Sequence, residues 1–177
     1  LLELSVQEEP EDDRNAHYLG REYFFHSRWD DCIATLKRHL SMPTATWKDE
    51  RAASMRYIAK SYIQKGDPAQ ARSWFFRAAA EAPHLREPWM DLATLCYQQE
   101  NWDGVLYFTG VALAITVRPD TYICEAESWG PLPHDLRCQA YFRTGRIGPA
   151  LEEAQKALVL SPTDPRLAGN VEVLRRM

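Results

Sequence analysis

The sequence lacks the features that mark membrane spans and common active sites. It has no run of about 18 apolar residues, which is the shortest stretch that crosses a bilayer as a helix, so we predict no membrane partner. The motifs G-x-S-x-G, G-x-G-x-x-G and H-E-x-x-H are absent, and so is the Walker loop. Because no nucleophile stands in a recognisable relation to a base, we predict that this chain carries no catalytic residues.

Cysteine is scarce, and histidine is scattered. The four cysteines form no C-x-x-C pair and the five histidines lack metal-ligand spacing, so we predict no metal and no cofactor. Cys32, Cys96 and Cys138 fall on packing positions of the pattern described below, and we interpret them as small buried side chains; Cys124 lies outside that pattern. Unpaired thiols suit a reducing compartment, so the predicted localisation is cytoplasmic.

Acidic residues are concentrated at the beginning of the chain. The net charge is −4, but residues 1–13 hold six acids and no base, which leaves 19 acids against 21 bases in the rest. That balance is too weakly basic to predict nucleic acid as a partner. We interpret residues 1–13 as an acidic linker from a preceding domain, although Leu1 to Pro10 could also be the last strand or helix of that domain. The chain has no initiator Met and no signal peptide, so we expect a piece of a longer protein.

Much of the chain shows the periodicity of amphipathic helices. Between Met55 and Pro83, apolar residues recur at spacings of three and four on both sides of Gly66-Asp67-Pro68. Gly66 can adopt a positive φ at the end of one helix, Asp67 can cap the next, and Pro68 is tolerated in a first helical turn. The stretch therefore predicts two helices joined by a tight turn. Small residues at the contact let the two backbones approach closely: Ala59, Ala71 and Ala78.

The same pattern recurs 34 residues later, and less regular copies lie near both ends of the chain. A helix–turn–helix period of 34 residues with small, aromatic and proline positions resembles the tetratricopeptide repeat (TPR). The resemblance implies an all-α fold, a right-handed α-solenoid of about four helical pairs plus a C-terminal capping helix, because one hairpin cannot bury its apolar face alone. The residues of the most regular copy are Trp89, Leu92, Ala93, Cys96, Trp102, Val105 and Ala112.

The repeat register divides the chain. The spacing between the third and fourth copies is 45 residues rather than 34, so we place an inserted loop there, rich in proline and aromatic residues, and expect it to fold back onto the repeats. The predicted TPR domain spans 14–177, with repeats at 13–46, 52–85, 86–119 and 131–164, the inserted loop at 118–133 and the capping helix at 165–176.

In TPR proteins the first helices of successive pairs line a concave groove, and the resemblance assigns its residues here. We expect this groove to bind an acidic or extended peptide, a nucleotide-sugar phosphate or a neighbouring domain; the alternative is an ordinary solvated helical face. Glu87 and Asp91 stand where a chaperone-type carboxylate clamp needs bases, which argues against such a clamp. The first repeat also offers Phe24 and Phe25. The predicted groove residues are Arg14, His17, Arg21, Arg56, Lys60, Tyr97, Gln139 and Phe142, with Glu127 and Trp129 reaching toward it from the inserted loop.

Longer segments carry a narrower resemblance. DDRNAHYLGREYFF, REPWMDLATLCYQQENW and EAESWGPLPHDLRCQAYFRTG are similar to the repeat region that follows the catalytic domain in some bacterial and phage family 2 glycosyltransferases. The resemblance implies an accessory module that positions an acceptor or packs against a catalytic domain preceding residue 1, since this chain has no Asp-x-Asp to hold a metal on a diphosphate. The alternative is a stand-alone scaffold that binds an extended peptide of another protein. We expect a monomer in either case.

Overall fold

A computed structural model describes residues 2–177, and over that range the chain is helical with loops and no strands. The prediction of an all-α fold built from helical pairs and a final single helix is therefore confirmed. The helices of the described residues are α1 (Leu2–Glu8), α2 (Asp13–Phe25), α3 (Trp29–Ser41), α4 (Lys48–Gln64), α5 (Pro68–Glu81), α6 (Glu87–Gln98), α7 (Trp102–Ala114), α8 (Ala126–Trp129), α9 (Leu132–Arg143), α10 (Ile147–Leu160) and α11 (Pro165–Arg175).

The helices form two compact units. The first ends at Pro83 and contains α1 to α5, in which α2 packs on α3, α3 on α4 and α4 on α5. The second runs from His84 to Met177, with α6 packed on α7, α7 on α9, α9 on α10 and α10 on α11. None of the helices in residues 2–177 combines the length and the apolar character needed to cross a membrane.

The turn inside each helical pair contains one residue in the left-handed backbone region. Gly66 (φ 77°) and Gly145 (φ 74°) occupy this position in two pairs, whereas Ser27 (φ 57°) and Glu100 (φ 54°) occupy it in the other two. After Gly66, the Asp67 carboxylate accepts a hydrogen bond from the backbone N–H of residue 70 at 3.0 Å. The turn at Gly66 lies where the sequence predicts it, and two of the four turns accept a side chain where glycine is strain-free.

Small residues mark the contacts within the pairs. Ala71 is fully buried in α5, as the pattern predicts. At Gly20 a Cβ would lie 2.3 Å from the side chain of Leu36, and at Gly104 it would lie 2.6 Å from the sulfur of Cys96. Helices α6 and α7 therefore pack closely at Gly104. At Gly110 the packing is looser, because the nearest neighbour of a Cβ would be at an ordinary contact distance of 3.6 Å.

The acidic leader contains a helix. In α1, Val6 is buried, and the carboxylate of Glu3 accepts hydrogen bonds from the hydroxyl of Tyr23 at 2.7 Å and from the guanidinium of Arg28 at 3.0 Å. The hydrogen bonds from Tyr23 and Arg28 lower the pKa of Glu3. Residues 2–8 are therefore attached to α2, although the charge pattern alone suggested a linker. Leu1, with which the predicted linker begins, lies outside the described residues.

The inserted segment packs against α6 of the second unit. The buried carboxylate of Glu87 accepts hydrogen bonds from the backbone N–H of Glu125 at 2.9 Å and from the indole of Trp129 at 3.0 Å. The guanidinium of Arg86 lies 4.0 Å from the centre of the Trp129 ring and donates to the carbonyl of Ile115 at 2.8 Å. These contacts hold α8 in place, and they explain why a proline-rich loop remains ordered.

Candidate functional site

Five of the ten predicted groove residues belong to the first unit. Arg14, His17 and Arg21 lie on α2, and Arg56 and Lys60 lie on α4, which packs beside α2. On α2 the two arginines are seven residues apart, which places them on the same face of the helix. The exposed fraction of each side chain shows which of the five face solvent.

One of the cationic side chains is exposed, and two half-buried ones lie against aromatic rings. The side chain of Arg14 is 63% exposed. The guanidinium carbon of Arg21 lies 5.5 Å from the centre of the Phe25 ring, and the ammonium of Lys60 lies 6.0 Å from that of Tyr57. The Phe25 and Tyr57 rings meet edge to face with centroids 6.1 Å apart, so they link the two helices. We call these five residues, Arg14, Arg21, Phe25, Tyr57 and Lys60, the α2–α4 surface.

The other two predicted residues of this unit are buried. His17 is 1% exposed and Arg56 is 3% exposed, so neither side chain contributes to the α2–α4 surface. The Nδ1 atom of His17 lies 2.7 Å from the hydroxyl of Ser54. Burial lowers the pKa of His17 to about 4, against the opposing attraction of Glu50, so the imidazole is neutral near pH 7.

Beneath the surface runs a chain of buried polar groups that the sequence did not reveal. The Ser54 hydroxyl also lies 3.0 Å from Nδ1 of His39, and Nε2 of His39 lies 3.6 Å from the carboxylate of Glu50. The other oxygen of Glu50 lies 4.0 Å from Nε of Arg14. The network therefore connects the buried histidines of α2 and α3 to an exposed cation.

Tyr57 was missing from the predicted set, although a signal for it was available. It precedes Lys60 by three residues, and side chains at this spacing are neighbours on one helical face. Its ring also contacts Phe24, with centroids 5.3 Å apart. No comparable signal pointed to Ser54 or His39. Each is a polar residue within an apolar helical face, and the partner of each residue lies on another helix.

In the second unit the structure brings Tyr97 and Gln139 together. The hydroxyl of Tyr97 on α6 donates to the side-chain carbonyl of Gln139 on α9 at 2.6 Å. Beside Gln139 is an open cavity of about 350 Å³ between α9 and α11, to which Phe142, 42% exposed, contributes its ring. Arg166, which also lines the cavity, forms an ion pair with Asp135 at 2.9 Å.

The two predicted residues from the inserted segment have different roles. Trp129 is half-buried and its indole N–H is engaged by Glu87, so it packs against α6. Glu127 is exposed on α8. Glu87, which stands where a carboxylate clamp needs a base, is the buried group around which the inserted segment is organised.

Solved structures share this fold at low sequence identity. A chain of the APC/C hetero-tetramer Cut9–Hcn1 matches with a TM-score of 0.72 and 11% identity over 99% of this chain, which spans 32% of that chain. A MamA protein matches with a TM-score of 0.72 and 14% identity over 94% of this chain and 82% of its own. TTC0263, a TPR protein of Thermus thermophilus, matches with a TM-score of 0.64 and 18% identity over 99% of this chain and 88% of its own.

These similarities show the fold alone. No protein-family model matches the chain, and no curated protein matches it by sequence. The fold is the one that the 34-residue period predicts, with helical pairs like those of TPR proteins.

Proposed function

We propose that this chain is a non-catalytic interaction module and that its α2–α4 surface binds an acidic, extended peptide. The observation that carries the proposal is a pair of edge-to-face aromatic rings, each with a half-buried cation against it (Arg21 and Lys60), on two packed helices that also carry the exposed Arg14. The fold supports it as well, because helical repeat arrays present extended surfaces for binding.

The chemistry of the surface defines the partner. Cations on a partly exposed surface attract carboxylates and raise the rate of encounter, and this attraction weakens as salt screens it. Tyr and Phe rings offer apolar area at a low cost in conformational entropy, which suits an apolar or aromatic side chain between acidic ones. A peptide with alternating Glu or Asp and aromatic residues matches both features.

The proposal is tested by charge reversal on the full chain. The probe is a fluorescein-labelled peptide of alternating Glu and Phe, and its binding is followed by fluorescence anisotropy at 50 and 200 mM NaCl. The double variant Arg21→Glu/Lys60→Glu is expected to bind at least about tenfold more weakly, which corresponds to about 1.4 kcal/mol. Lys48→Glu/Arg175→Glu is the charge-matched control, because both residues are exposed cations outside the α2–α4 surface. Equal affinities for the double variant and the wild type would reject the surface.

A finer hypothesis concerns the identity of the partner. The segments quoted above favour a family 2 glycosyltransferase as the parent, in which case the acidic or apolar partner belongs to the catalytic domain of the same protein. The structures described above do not bear on this parentage. The coding sequence upstream of residue 1 tests it: a nucleotide-sugar fold with an Asp-x-Asp motif would support the transferase, and an upstream sequence without one would leave the stand-alone scaffold.

A further inference from the structure

Three potential metal ligands from three helices of the first unit converge on one point. They are Asp13 in the first turn of α2, His39 in the last turn of α3 and Glu50 in the first turn of α4. One ligand atom from each lies within 4.8 Å of the others. His39 is fully buried and Glu50 is 3% exposed, which distinguishes this group from the acidic clusters that are common on protein surfaces.

The orientation of His39 provides a second, independent observation. Its Nδ1 is held by the hydroxyl of Ser54, while its buried Nε2 has no hydrogen bond and lies 3.6 Å from the carboxylate of Glu50. When Nδ1–H donates to Ser54, the lone pair of Nε2 points toward the carboxylate, and two buried acceptors face each other. A buried acceptor without a donor, as Nε2 then is, destabilises the fold, and a cation between the imidazole and the carboxylate removes that cost.

We propose that Asp13, His39 and Glu50 bind one divalent transition-metal ion, for which Zn²⁺ is the best match. One imidazole nitrogen and two carboxylates are ligands that Zn²⁺ accepts, and a metal-bound histidine characteristically donates its other N–H to a neighbouring group, as His39 can to Ser54. Zn²⁺ bonds of about 2.1 Å would bring the ligand atoms to roughly 3.4 Å from one another. The side chain of Asp13, only half-buried, can supply this contraction.

The charges around the proposed metal site lead to a further expectation. The two carboxylates together carry more charge than the guanidinium of Arg14, whose Nε lies 4.0 Å from Glu50. Arg14 competes with a metal ion for this carboxylate, so removing its charge should strengthen metal binding. The sequence predicted no metal because the three residues are 26 and 11 positions apart, and only the packing of α2, α3 and α4 brings them together.

The test measures Zn²⁺ binding to the chelator-treated full chain by isothermal titration calorimetry, with Co²⁺ absorption as the spectroscopic readout. We expect one ion per chain and a rise in melting temperature with Zn²⁺, because a ligand that binds only the folded state stabilises it. Asp13→Asn should weaken binding at least tenfold, and Asp103→Asn, an exposed first-turn acid of α7, should leave it unchanged.

Two further variants separate a metal site from a structural cluster. Arg14→Gln should tighten Zn²⁺ binding about threefold or more. If the three residues only contribute to folding, this variant should show no gain in Zn²⁺ affinity. Ser54→Ala should weaken binding by about tenfold or more by releasing His39, as measured for chains whose circular dichroism remains that of the wild type. The proposal is overturned if the wild type binds no Zn²⁺ at 100 µM, or if Asp13→Asn and Asp103→Asn bind equally well. It does not rest on the peptide-binding proposal, which involves no metal, although Arg14 takes part in both.

Discussion

The two units use the same repeat pattern but place their polar groups differently. In the second unit the polar residues of the first helices are engaged within the unit: Glu87 by the inserted segment and Tyr97 by Gln139. In the first unit, Arg21 and Lys60 are half-buried and lie against the aromatic rings of Phe25 and Tyr57. The difference shows that a position in the repeat fixes which helical face a residue occupies, while its neighbours decide which contacts its side chain makes.

The largest effect on folding stability is expected when a larger side chain is placed in the core of the first unit. Ala71 is fully buried where α5 meets α4, so Ala71→Trp should lower the free energy of unfolding by about 3 kcal/mol. Ala69→Trp on the same helix is the control, because Ala69 is exposed and a larger side chain there is tolerated. Chemical denaturation followed by circular dichroism measures both variants. If Ala71→Trp unfolds like the wild type, the repeat register is misplaced.

A smaller loss of folding stability is expected when the buried carboxylate of Glu87 in the second unit is removed. Glu87→Ala leaves the N–H groups of Glu125 and Trp129 without their acceptor, at a cost of about 2 kcal/mol. Trp129 fluorescence and denaturation midpoints report the change. Glu127→Ala on α8 is the matched control, since its side chain is exposed. Equal stabilities of the two variants would mean that Glu87 does not organise the inserted segment.

A pH-dependent difference is expected in the second unit. Burial alone would raise the pKa of Glu153, but hydrogen bonds from His134 and Lys156 and the charge of Arg137 lower the pKa to about 2. Between about pH 4.5 and 2 the unfolded chain binds the proton that the folded chain does not, so this contribution to stability is complete above pH 4.5 and is lost as the pH falls toward 2.

The variant Glu153→Gln should therefore show a shallower fall in stability over this pH range than the wild type. Glu152→Gln provides the control, because Glu152 is the adjacent, exposed carboxylate of the same helix. Denaturation midpoints measured between pH 5 and 2 compare the three proteins. Parallel curves for Glu153→Gln and the wild type would show that the ion cluster around Glu153 does not stabilise the folded state.

The sequence predicted the helices and their turns better than the residues of the candidate site. Helical periodicity and local turn chemistry are encoded within a few residues, and so the pairs and the turn at Gly66 followed directly. The burial of His17 did not follow from the sequence, because it depends on the packing of α2 against α3 and α4, and its partner Ser54 is 37 positions away in the chain. The attachment of α1 did not follow either, since it depends on Tyr23 and Arg28 rather than on the composition of α1 itself.

The most direct test of the difference between the units is an amide chemical-shift titration of the ¹⁵N-labelled full chain with the acidic Glu–Phe peptide. The account predicts that the largest shifts fall on α2 and α4, around Arg21, Tyr57 and Lys60, and that they diminish as salt is raised. Shifts centred instead on Gln139 and Phe142 of the second unit, or spread evenly over the chain, would contradict it.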